Sequence, residues 1–252
     1  MFNYIVSGIL QGVFEWLPIS SEGIVALFNK YSSSAVNPLD LALFLHLGTL
    51  LAVLIYFRKD FRKILLLKDK KLFSFLFFST LISLLVAFPL YQFASSIALG
   101  GWLLFLTGLG LLITAFLQKS EKIKNKSKLP FLSNKLAFLA GFLQGLAVLP
   151  GVSRSGSTIF ALSLSENKAP KDILKLSYLM SAPIVMASSL YLILKGGITF
   201  NFNVILALFF AFIIGLLSLK VLLKVVEKVN FFKFALFFGL LCILAGFIEF
   251  LV

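Results

Sequence analysis

Six long apolar stretches constrain the fold of this chain more than any other feature of its sequence. Each reaches the roughly 20 residues that an α-helix needs to cross the hydrocarbon core of a bilayer. With 60% hydrophobic and only 13% charged residues, the composition is also far from that of a soluble domain. We therefore expect an all-α, multi-pass membrane protein. The six predicted transmembrane helices are 39–57, 72–92, 99–117, 172–194, 203–223 and 232–251.

The basic residues lie mainly in the short gaps between these spans. In a soluble chain, a formal net charge of +13 would suggest a nucleic-acid partner. Here the lysines and arginines cluster around residues 58–71, 119–135, 168–175 and 220–233, which is the pattern of cytoplasmic loops. The charge therefore predicts the orientation of the spans and no nucleic-acid partner.

Two further apolar segments, 3–28 and 134–163, are interrupted in the middle by proline and small polar residues. An unsatisfied backbone polar group in hydrocarbon costs several kcal/mol, so such a break survives only where protein or a water-filled cavity surrounds it. We interpret both segments as re-entrant helix hairpins, each of which enters and leaves on one side of the membrane.

The two broken segments share a sequence pattern. GILQG at residues 8–12 and GFLQG at residues 141–145 are each followed by a Leu-Pro pair and then by serines. Each hairpin precedes three spans, so the second half of the chain lies upside down relative to the first, as in many transporters with inverted repeats. The expected single membrane domain covers residues 1–252, with repeats of about 1–117 and 134–252 joined by a basic cytoplasmic loop at 118–133.

The second break, PGVSRSGST at residues 150–158, has the composition of an anion site. Arg154 offers a planar guanidinium that matches phosphate or carboxylate, and an arginine at membrane depth implies a partner. Hydroxyls and glycine-exposed amides surround it, and a helix that begins here would add partial positive charge. The alternative, a break whose hydroxyls bond only to their own backbone, leaves Arg154 unexplained. The predicted phosphate-binding residues are Gly151, Ser153, Arg154, Ser155 and Thr158, with Ser20 from the first break.

The first break follows a carboxylate, Glu15, that lies in an otherwise apolar segment. Such a group is expected to be paired, protonated or functional. It could bind a divalent cation or orient water for attack, and Gln11 lies one helical turn earlier on the same face. The alternative is a purely structural pair between Glu15 and Arg154, which would still place the two tips together. Ser20, Ser21 and Glu22 follow the break and could complete an anion or metal site.

Three segments, QGVFEWLPISSEG, LFLHLGTLLAVLIYF and GFLQGLAVLPGVSRSGST, together resemble the undecaprenyl-diphosphate phosphatase family, also called the bacitracin-resistance family. The resemblance covers essentially the whole chain. It implies hydrolysis of undecaprenyl diphosphate to undecaprenyl phosphate and inorganic phosphate, which recycles the lipid carrier of cell-wall synthesis. It also implies Mg²⁺ or Ca²⁺, and a site toward the outer face of the bacterial plasma membrane. The site residues that it implies are Glu15, Ser21, Ser153, Arg154 and Thr158, with Gln11 and Glu15 matching an E/Q-x-x-x-E motif.

Two positions depart from the family pattern P-x-S-S-T-G-H. This chain reads PISSEGI, so Glu22 stands at the threonine position and Ile24 at the histidine position. His46 is the only histidine, and it lies about 10 Å inside the first span at 1.5 Å per residue. Both a structural role and catalytic assistance are open for His46.

The expected mechanism does not need a histidine. Arg154, its neighbouring hydroxyls and a divalent cation would hold the diphosphate and stabilise charge on the transferring phosphoryl group. Glu15, with Gln11 and Glu22, would bind the metal or act as a base toward water or Ser21.

Two hypotheses compete with hydrolysis: a structural or inactive relative, which retention of Glu15 and the serine-arginine motif argues against, and a transporter or flippase for polyprenyl phosphates. Inverted repeats suit alternating access, and loss of the family histidine could mark a chain that binds the diphosphate without cleaving it. The expected partners are a polyprenyl diphosphate and membrane lipids. Assembly into a homo-oligomer, the metal's identity, the prenyl chain length and the attacking group are left open.

Overall fold

In the computed structural model, the described residues are 1–17, 19–32, 37–97, 102–120, 130–165, 170–196, 200–225 and 231–251. These ranges contain helices and no β-strand, which confirms the all-α prediction. Pro18 and most of the predicted basic loop at 118–133 lie outside the described residues. The helices are α1 (Phe2–Phe14), α2 (Ser21–Tyr31), α3 (Pro38–Tyr56), α4 (Arg58–Leu65), α5 (Lys70–Ile97), α6 (Trp102–Ser120), α7 (Asn134–Leu146), α8 (Arg154–Ser163), α9 (Pro170–Leu194), α10 (Phe202–Val225) and α11 (Phe231–Leu251).

Four of these helices are long and apolar enough to cross a bilayer, namely α3, α5, α9 and α10, as far as the described residues extend. They coincide with four of the six predicted spans. The other two predicted spans correspond to α6 and α11, which contain shorter apolar stretches at Phe105–Phe116 and Leu236–Phe247. Large apolar side chains such as Phe77, Leu85 and Phe116 are exposed, as expected where helices face lipid. The chain is a multi-pass membrane protein.

The first basic gap forms a helix that the sequence did not predict. Arg58–Leu65 fold as α4, which buries Ile64 and exposes most of its charged side chains. Lys175 of α9 donates a hydrogen bond from Nζ to Asp60 Oδ1 at 2.7 Å, which ties α4 to α9. The prediction missed α4 because its many charges hide the apolar face of a short amphipathic helix.

Both broken segments form two helices with a non-helical turn between them, as predicted. The first comprises α1 and α2, and the second comprises α7 and α8. Helix α1 packs against α10, and α7 packs against α5. Gly8 and Gly12 lie so close to α10, and Gly141 and Gly145 so close to α5, that a Cβ atom at any of them would overlap the neighbouring helix. The shared G-x-x-Q-G pattern therefore permits close helix contact in both segments.

Helix α3 lies at the centre of the molecule and brings the two broken segments together. Nearly all of its residues from Pro38 to Val53 are buried. It packs against α9 and α10 as well as against α1 and α2, while α8 packs against α6, α7 and α9. Residues from the turns of both broken segments line one small cavity together with His46 of α3.

Candidate active site

Glu15 is the central residue of the site, at the end of α1, and it is only 4% exposed. Its Oε1 atom accepts a hydrogen bond from Arg154 Nη2. Its Oε2 atom accepts hydrogen bonds from Gln11 Nε2 at 2.7 Å and Ser21 Oγ at 2.8 Å. The same oxygen lies 3.1 Å from His46 Nε2. One buried carboxylate thus joins side chains from α1, α2, α3 and α8.

The contact between Glu15 and Arg154 joins residues that are 139 positions apart in the sequence. The sequence predicted that such a pair would bring the two tips together, and the tips do meet here. Arg154 begins α8, and its Nε atom is buried without a hydrogen-bond partner among the described residues. The guanidinium therefore keeps a donor for a further anion while one of its Nη atoms contacts Glu15.

Two helices begin at this site, and each has a serine at its N-cap. Ser20 adopts a φ of 58° and accepts a hydrogen bond from Gly23 N, which caps α2. Ser153 accepts a hydrogen bond from Gly156 N and caps α8. Both serines line a small polar cavity together with Glu15 and Arg154. Since a helix N-terminus carries partial positive charge, the cavity is suited to an anion.

The backbone of the first break is held by Ser155, a predicted site residue, and by two residues that the sequence did not predict, Trp16 and Tyr178. Trp16 Nε1 donates to Gly215 O at 2.9 Å, so its indole is anchored to α10. Tyr178 Oη donates to Trp16 O at 3.2 Å, and Ser155 Oγ donates to Leu17 O at 3.0 Å. These bonds satisfy carbonyl groups that the helix break leaves open. The sequence offered one signal, a tryptophan beside the break of an apolar segment. A buried tryptophan usually has a hydrogen-bond partner for its N–H.

The backbone of the second break packs against α6. Gly151 has a φ of +89° and lies so close to the Thr107 carbonyl group that no side chain would fit there. Ser153 N donates to Thr114 Oγ1 at 3.0 Å. Gly151 therefore has a packing role at the tip, and its predicted phosphate contact stays a prediction. Thr114 is a supporting residue that the sequence did not single out.

Of the predicted phosphate-binding hydroxyls, those of Ser153 and Ser155 lie at the polar cavity, with 3.2 Å between their oxygens. Thr158 lies one turn further along α8. Its hydroxyl donates to Arg154 O at 2.9 Å and contacts Ser177 Oγ on α9. Thr158 is absent from the residues that line the two described cavities, so a phosphate contact by this residue also stays a prediction.

The two positions that depart from the family pattern face different surroundings. Glu22 is 6% exposed and lines the polar cavity. Ile24 packs against the apolar cluster that contains Ile19 and Leu111. The residue at the family's threonine position thus faces the site, while the residue at its histidine position packs among apolar side chains.

His46 reaches the site from α3, as the helical rise predicted. Besides the contact with Glu15, its Nδ1 atom lies 3.0 Å from Ala42 O on the preceding turn. This contact fixes the orientation of the ring and directs Nε2 toward the carboxylate.

A larger, mostly apolar cavity of about 450 Å³ adjoins the polar one. The two cavities share Glu22, His46, Ala147 and Arg154 in their linings. From these residues the larger cavity extends between α5 and α9, where Leu85 and Phe88 line it. Because both side chains are also exposed on the surface of the protein, the cavity is accessible from the lipid-facing side.

Gln11 and Glu15 were predicted as candidate ligands for a divalent cation. The described residues include no group of three or more His, Cys, Asp or Glu side chains arranged to hold a metal. Both oxygens of Glu15 already accept hydrogen bonds, whereas Gln11 Oε1 is buried without a partner among the described residues. An unpaired oxygen beside a carboxylate suits Mg²⁺ or Ca²⁺, provided that other oxygens complete the shell.

Comparison with known proteins identifies the family. Residues 4–248 match the family described as bacitracin resistance protein BacA. A protein named undecaprenyl-diphosphatase from Methanococcoides burtonii is 36% identical over 261 residues, with 97% of each chain covered. Proteins of the same name from Haloarcula marismortui and Thermosipho africanus are 34% identical, with 96% and 99% of each chain covered. The chain therefore belongs to the bacitracin resistance protein BacA family, as the sequence motifs predicted.

Proposed function

We propose that this chain is a membrane hydrolase that converts undecaprenyl diphosphate to undecaprenyl phosphate and inorganic phosphate. The observation that carries the proposal is the meeting of Arg154 and Glu15 at a buried polar cavity onto which two helix N-termini open. The names of the relatives support it, since they describe a phosphatase and none describes a transporter. The product is the lipid carrier that cell-wall synthesis uses, which agrees with the family's description as a resistance protein.

The terminal phosphate would bind where positive charge and hydrogen-bond donors converge. Arg154 contributes its guanidinium, and the N-termini of α2 and α8 contribute backbone amides around Ser20 and Ser153. A largely enclosed arginine without a partner would be unfavourable, so the contact with Glu15 stabilises and orients Arg154 before the substrate arrives. This arrangement places fixed donors beside the phosphoryl group and needs little reorganisation during the reaction.

The prenyl chain would occupy the apolar cavity between α5 and α9. That cavity adjoins the phosphate site at Glu22, His46 and Arg154 and reaches the surface near Leu85 and Phe88. A lipid could therefore place its diphosphate beside the polar cavity, at Glu22, His46 and Arg154, while its tail stays in apolar surroundings. The shape supports an amphipathic substrate with a long apolar tail over a soluble phosphate ester.

Glu15 and Gln11 would hold a Mg²⁺ or Ca²⁺ ion, which supplies positive charge that neutralises the diphosphate. The chain's own residues then carry the phosphoryl transfer. Arg154 and the two helix N-termini stabilise the charge that develops on the phosphoryl oxygens, and undecaprenyl phosphate leaves as the bond to the bridging oxygen breaks. Glu15 keeps Arg154 and Ser21 in place through its hydrogen bonds.

We propose a topology of six transmembrane helices and two re-entrant hairpins. These elements are related as inverted repeats within one membrane domain. The reciprocal packing of α1 on α10 and of α7 on α5 supports it, as do the pairs α3 with α9 and α6 with α11. His46 lies in the half of α3 that is remote from the basic helix α4. If the basic gaps are cytoplasmic, the site faces the outer side of the plasma membrane.

Release of inorganic phosphate by the purified protein in detergent tests the proposal. The wild type is expected to hydrolyse undecaprenyl diphosphate, and Arg154→Ala to lower kcat/KM by at least about 100-fold, the usual effect of removing a key transition-state donor. Arg58→Ala is the matched control, since Arg58 is exposed on α4, and it should retain activity. A wild type that moves the lipid across vesicles without releasing phosphate would establish the transporter hypothesis instead.

A further inference from the structure

We infer that Glu22, and not Glu15, is the general base of the reaction and accepts a proton from the water that attacks the terminal phosphorus. The inference rests on the proposed phosphatase function and adds the identity of the proton acceptor and of the nucleophile. It depends on a contrast between two buried carboxylates that line one small cavity.

Glu15 is poorly placed to accept a proton because both of its oxygens already accept hydrogen bonds. Gln11 and Ser21 donate to Oε2, His46 Nε2 lies 3.1 Å from the same atom, and Arg154 donates to Oε1. A proton on Glu15 would displace one of these donors and weaken the contact that holds Arg154. Glu15 is therefore a positioning residue, which aligns the donors of the phosphate site.

Glu22 differs in the one respect that matters for proton transfer. Its Oε1 atom is buried and has no hydrogen-bond partner among the described residues, although the side chain is only 6% exposed. Leaving a carboxylate oxygen buried and unpaired is unfavourable, so a protein that does so provides for a partner that arrives later. Glu22 lines both the polar cavity and the larger apolar one, so its side chain lies where the two cavities adjoin.

The polar cavity has the size that the inference requires. Its volume is about 10 Å³, which is close to the space that one water molecule needs. Ser20, Ser21, Ser153 and Ser155 contribute hydroxyls to its lining. A water molecule in this cavity lies beside the N-termini of α2 and α8, where the terminal phosphate would bind.

The charged and titratable groups that share this cavity with Glu22 are Glu15 from α1, His46 from α3 and Arg154 from α8. Arg154 is the partner of Glu15, and its unpaired Nε atom remains for the phosphate. The cavity therefore contains one carboxylate that is bound by several donors and a second one with a free oxygen.

The reaction step balances without a further reactant. The water oxygen forms a bond to the terminal phosphorus while the bond from that phosphorus to the bridging oxygen breaks. The electron pair of the broken bond leaves with undecaprenyl phosphate. One water proton passes to the Glu22 carboxylate, the other stays on the inorganic phosphate, and Glu22 then returns its proton to the departing phosphate or to solvent.

The position of Ile24 explains why this chain would use residue 22. Ile24 packs in the apolar cluster with Ile19 and Leu111, and the position that the resemblance reserves for a histidine is not part of either cavity lining. The helix geometry of α2 instead directs residue 22 to the site. The chain has a carboxylate there in place of the family's threonine.

Steady-state phosphate release by Glu22→Gln tests the inference. Glutamine keeps the size of the side chain and its hydrogen bonding but accepts no proton, so kcat should fall by about 100-fold or more. KM should change by no more than about threefold, because binding of the diphosphate does not use the base. The acidic limb of the wild-type pH profile of kcat should also disappear. Asp60→Asn is the matched control, since it neutralises a carboxylate on α4 that lines neither cavity.

The outcomes separate this inference from the proposed function. If the wild type releases no phosphate, the proposed function fails. If the wild type is active and Glu22→Gln keeps its kcat and its pH profile, the proposed function stands and Glu22 is not the base. If Glu22→Gln fails to fold, as judged by its elution and thermal stability, then Glu22→Thr, which carries the family's residue, takes its place and must show the same loss of kcat. Loss of activity in Ser21→Ala together with full activity in Glu22→Gln would identify Ser21 as the nucleophile and overturn the inference.

Discussion

The two broken segments use the same backbone arrangement for different chemistry. Gly8 and Gly12 bring α1 against α10, just as Gly141 and Gly145 bring α7 against α5. The glutamines of the two G-x-x-Q-G patterns, however, lie in different chemical surroundings. Gln11 donates to the catalytic-site carboxylate Glu15, while four residues after Gln144 the chain has an apolar Val148. One segment supplies carboxylates and the other supplies an arginine and hydroxyls, so a site for a charged phosphate needs both.

The largest effect is expected from disrupting the close helix contacts that each segment makes through its glycines. Gly8→Leu and Gly141→Leu each place a large side chain where even a Cβ atom overlaps the backbone of the neighbouring helix. Each should lower the free energy of unfolding by about 1–3 kcal/mol or prevent folding, as overpacking does. Thermal unfolding in detergent measures the loss. Val13→Leu on the exposed face of α1 is the control and should be neutral. A stable Gly141→Leu beside an unfolded Gly8→Leu would show that the two segments do not pack alike.

An intermediate effect is expected from replacing the glutamines at equivalent positions of the two segments. Comparing the two variants tests whether the segments differ in their chemistry. Gln11→Ala removes a donor to Glu15 and an unpaired oxygen beside it. We expect kcat/KM to fall by about 10-fold or more, since a hydrogen bond to a charged group is worth about 1.5–3 kcal/mol. The concentration of Mg²⁺ or Ca²⁺ needed for half-maximal activity should rise as well.

Gln144→Ala is the matching change in the second segment. Gln144 Nε2 donates to Ser83 Oγ of α5 at 3.1 Å and does not contact Glu15. Its replacement should lower stability by about 1 kcal/mol and leave the cation requirement of the reaction unchanged. Equal shifts in cation requirement for the two variants would contradict the assignment of the cation to the first segment.

The smallest effect is expected at the apolar cavity. Leu84→Trp narrows the space between α5 and α9 that we assign to the prenyl chain. KM for undecaprenyl diphosphate should rise by about 10-fold with little change in kcat, since only ground-state binding is lost. A diphosphate with a short prenyl chain should be affected less. Phe77→Trp, on the exposed surface of α5, serves as the control, and an equal rise in KM for that variant would place the tail elsewhere.

Much of the fold could be predicted from the sequence because the bilayer restricts what an apolar stretch can form. Apolar runs of about 20 residues predict transmembrane helices, and proline with small polar residues predicts the two breaks. Helix α4 was missed because its signal is short and dominated by charge. The shared glycines were recognised as a repeat, but the helices that they contact could be found only from the structure.

The chemistry of the site was predicted less completely, because it depends on the direction in which each side chain points once the chain is folded. Arg154 and Glu15 were each predicted to belong to the site, since each is an isolated charge in an apolar segment, and a pair between them was one of the alternatives. The sequence could not reveal that Glu22 faces the cavity and Ile24 an apolar cluster, although the two are neighbours in α2. Nor could it reveal the hydrogen bond between Tyr178 and Trp16, which are 162 positions apart.

A double-mutant cycle on Glu15 and Arg154, measured as kcat/KM for phosphate release from undecaprenyl diphosphate, tests the central claim most directly. The claim is that both broken segments form one site through this pair of residues. Glu15→Gln and Arg154→Gln should each lower activity by about 100-fold or more. The double variant should be about as active as the worse single variant, with a coupling energy above about 1.4 kcal/mol. Losses that simply multiply, with no coupling, would contradict the account.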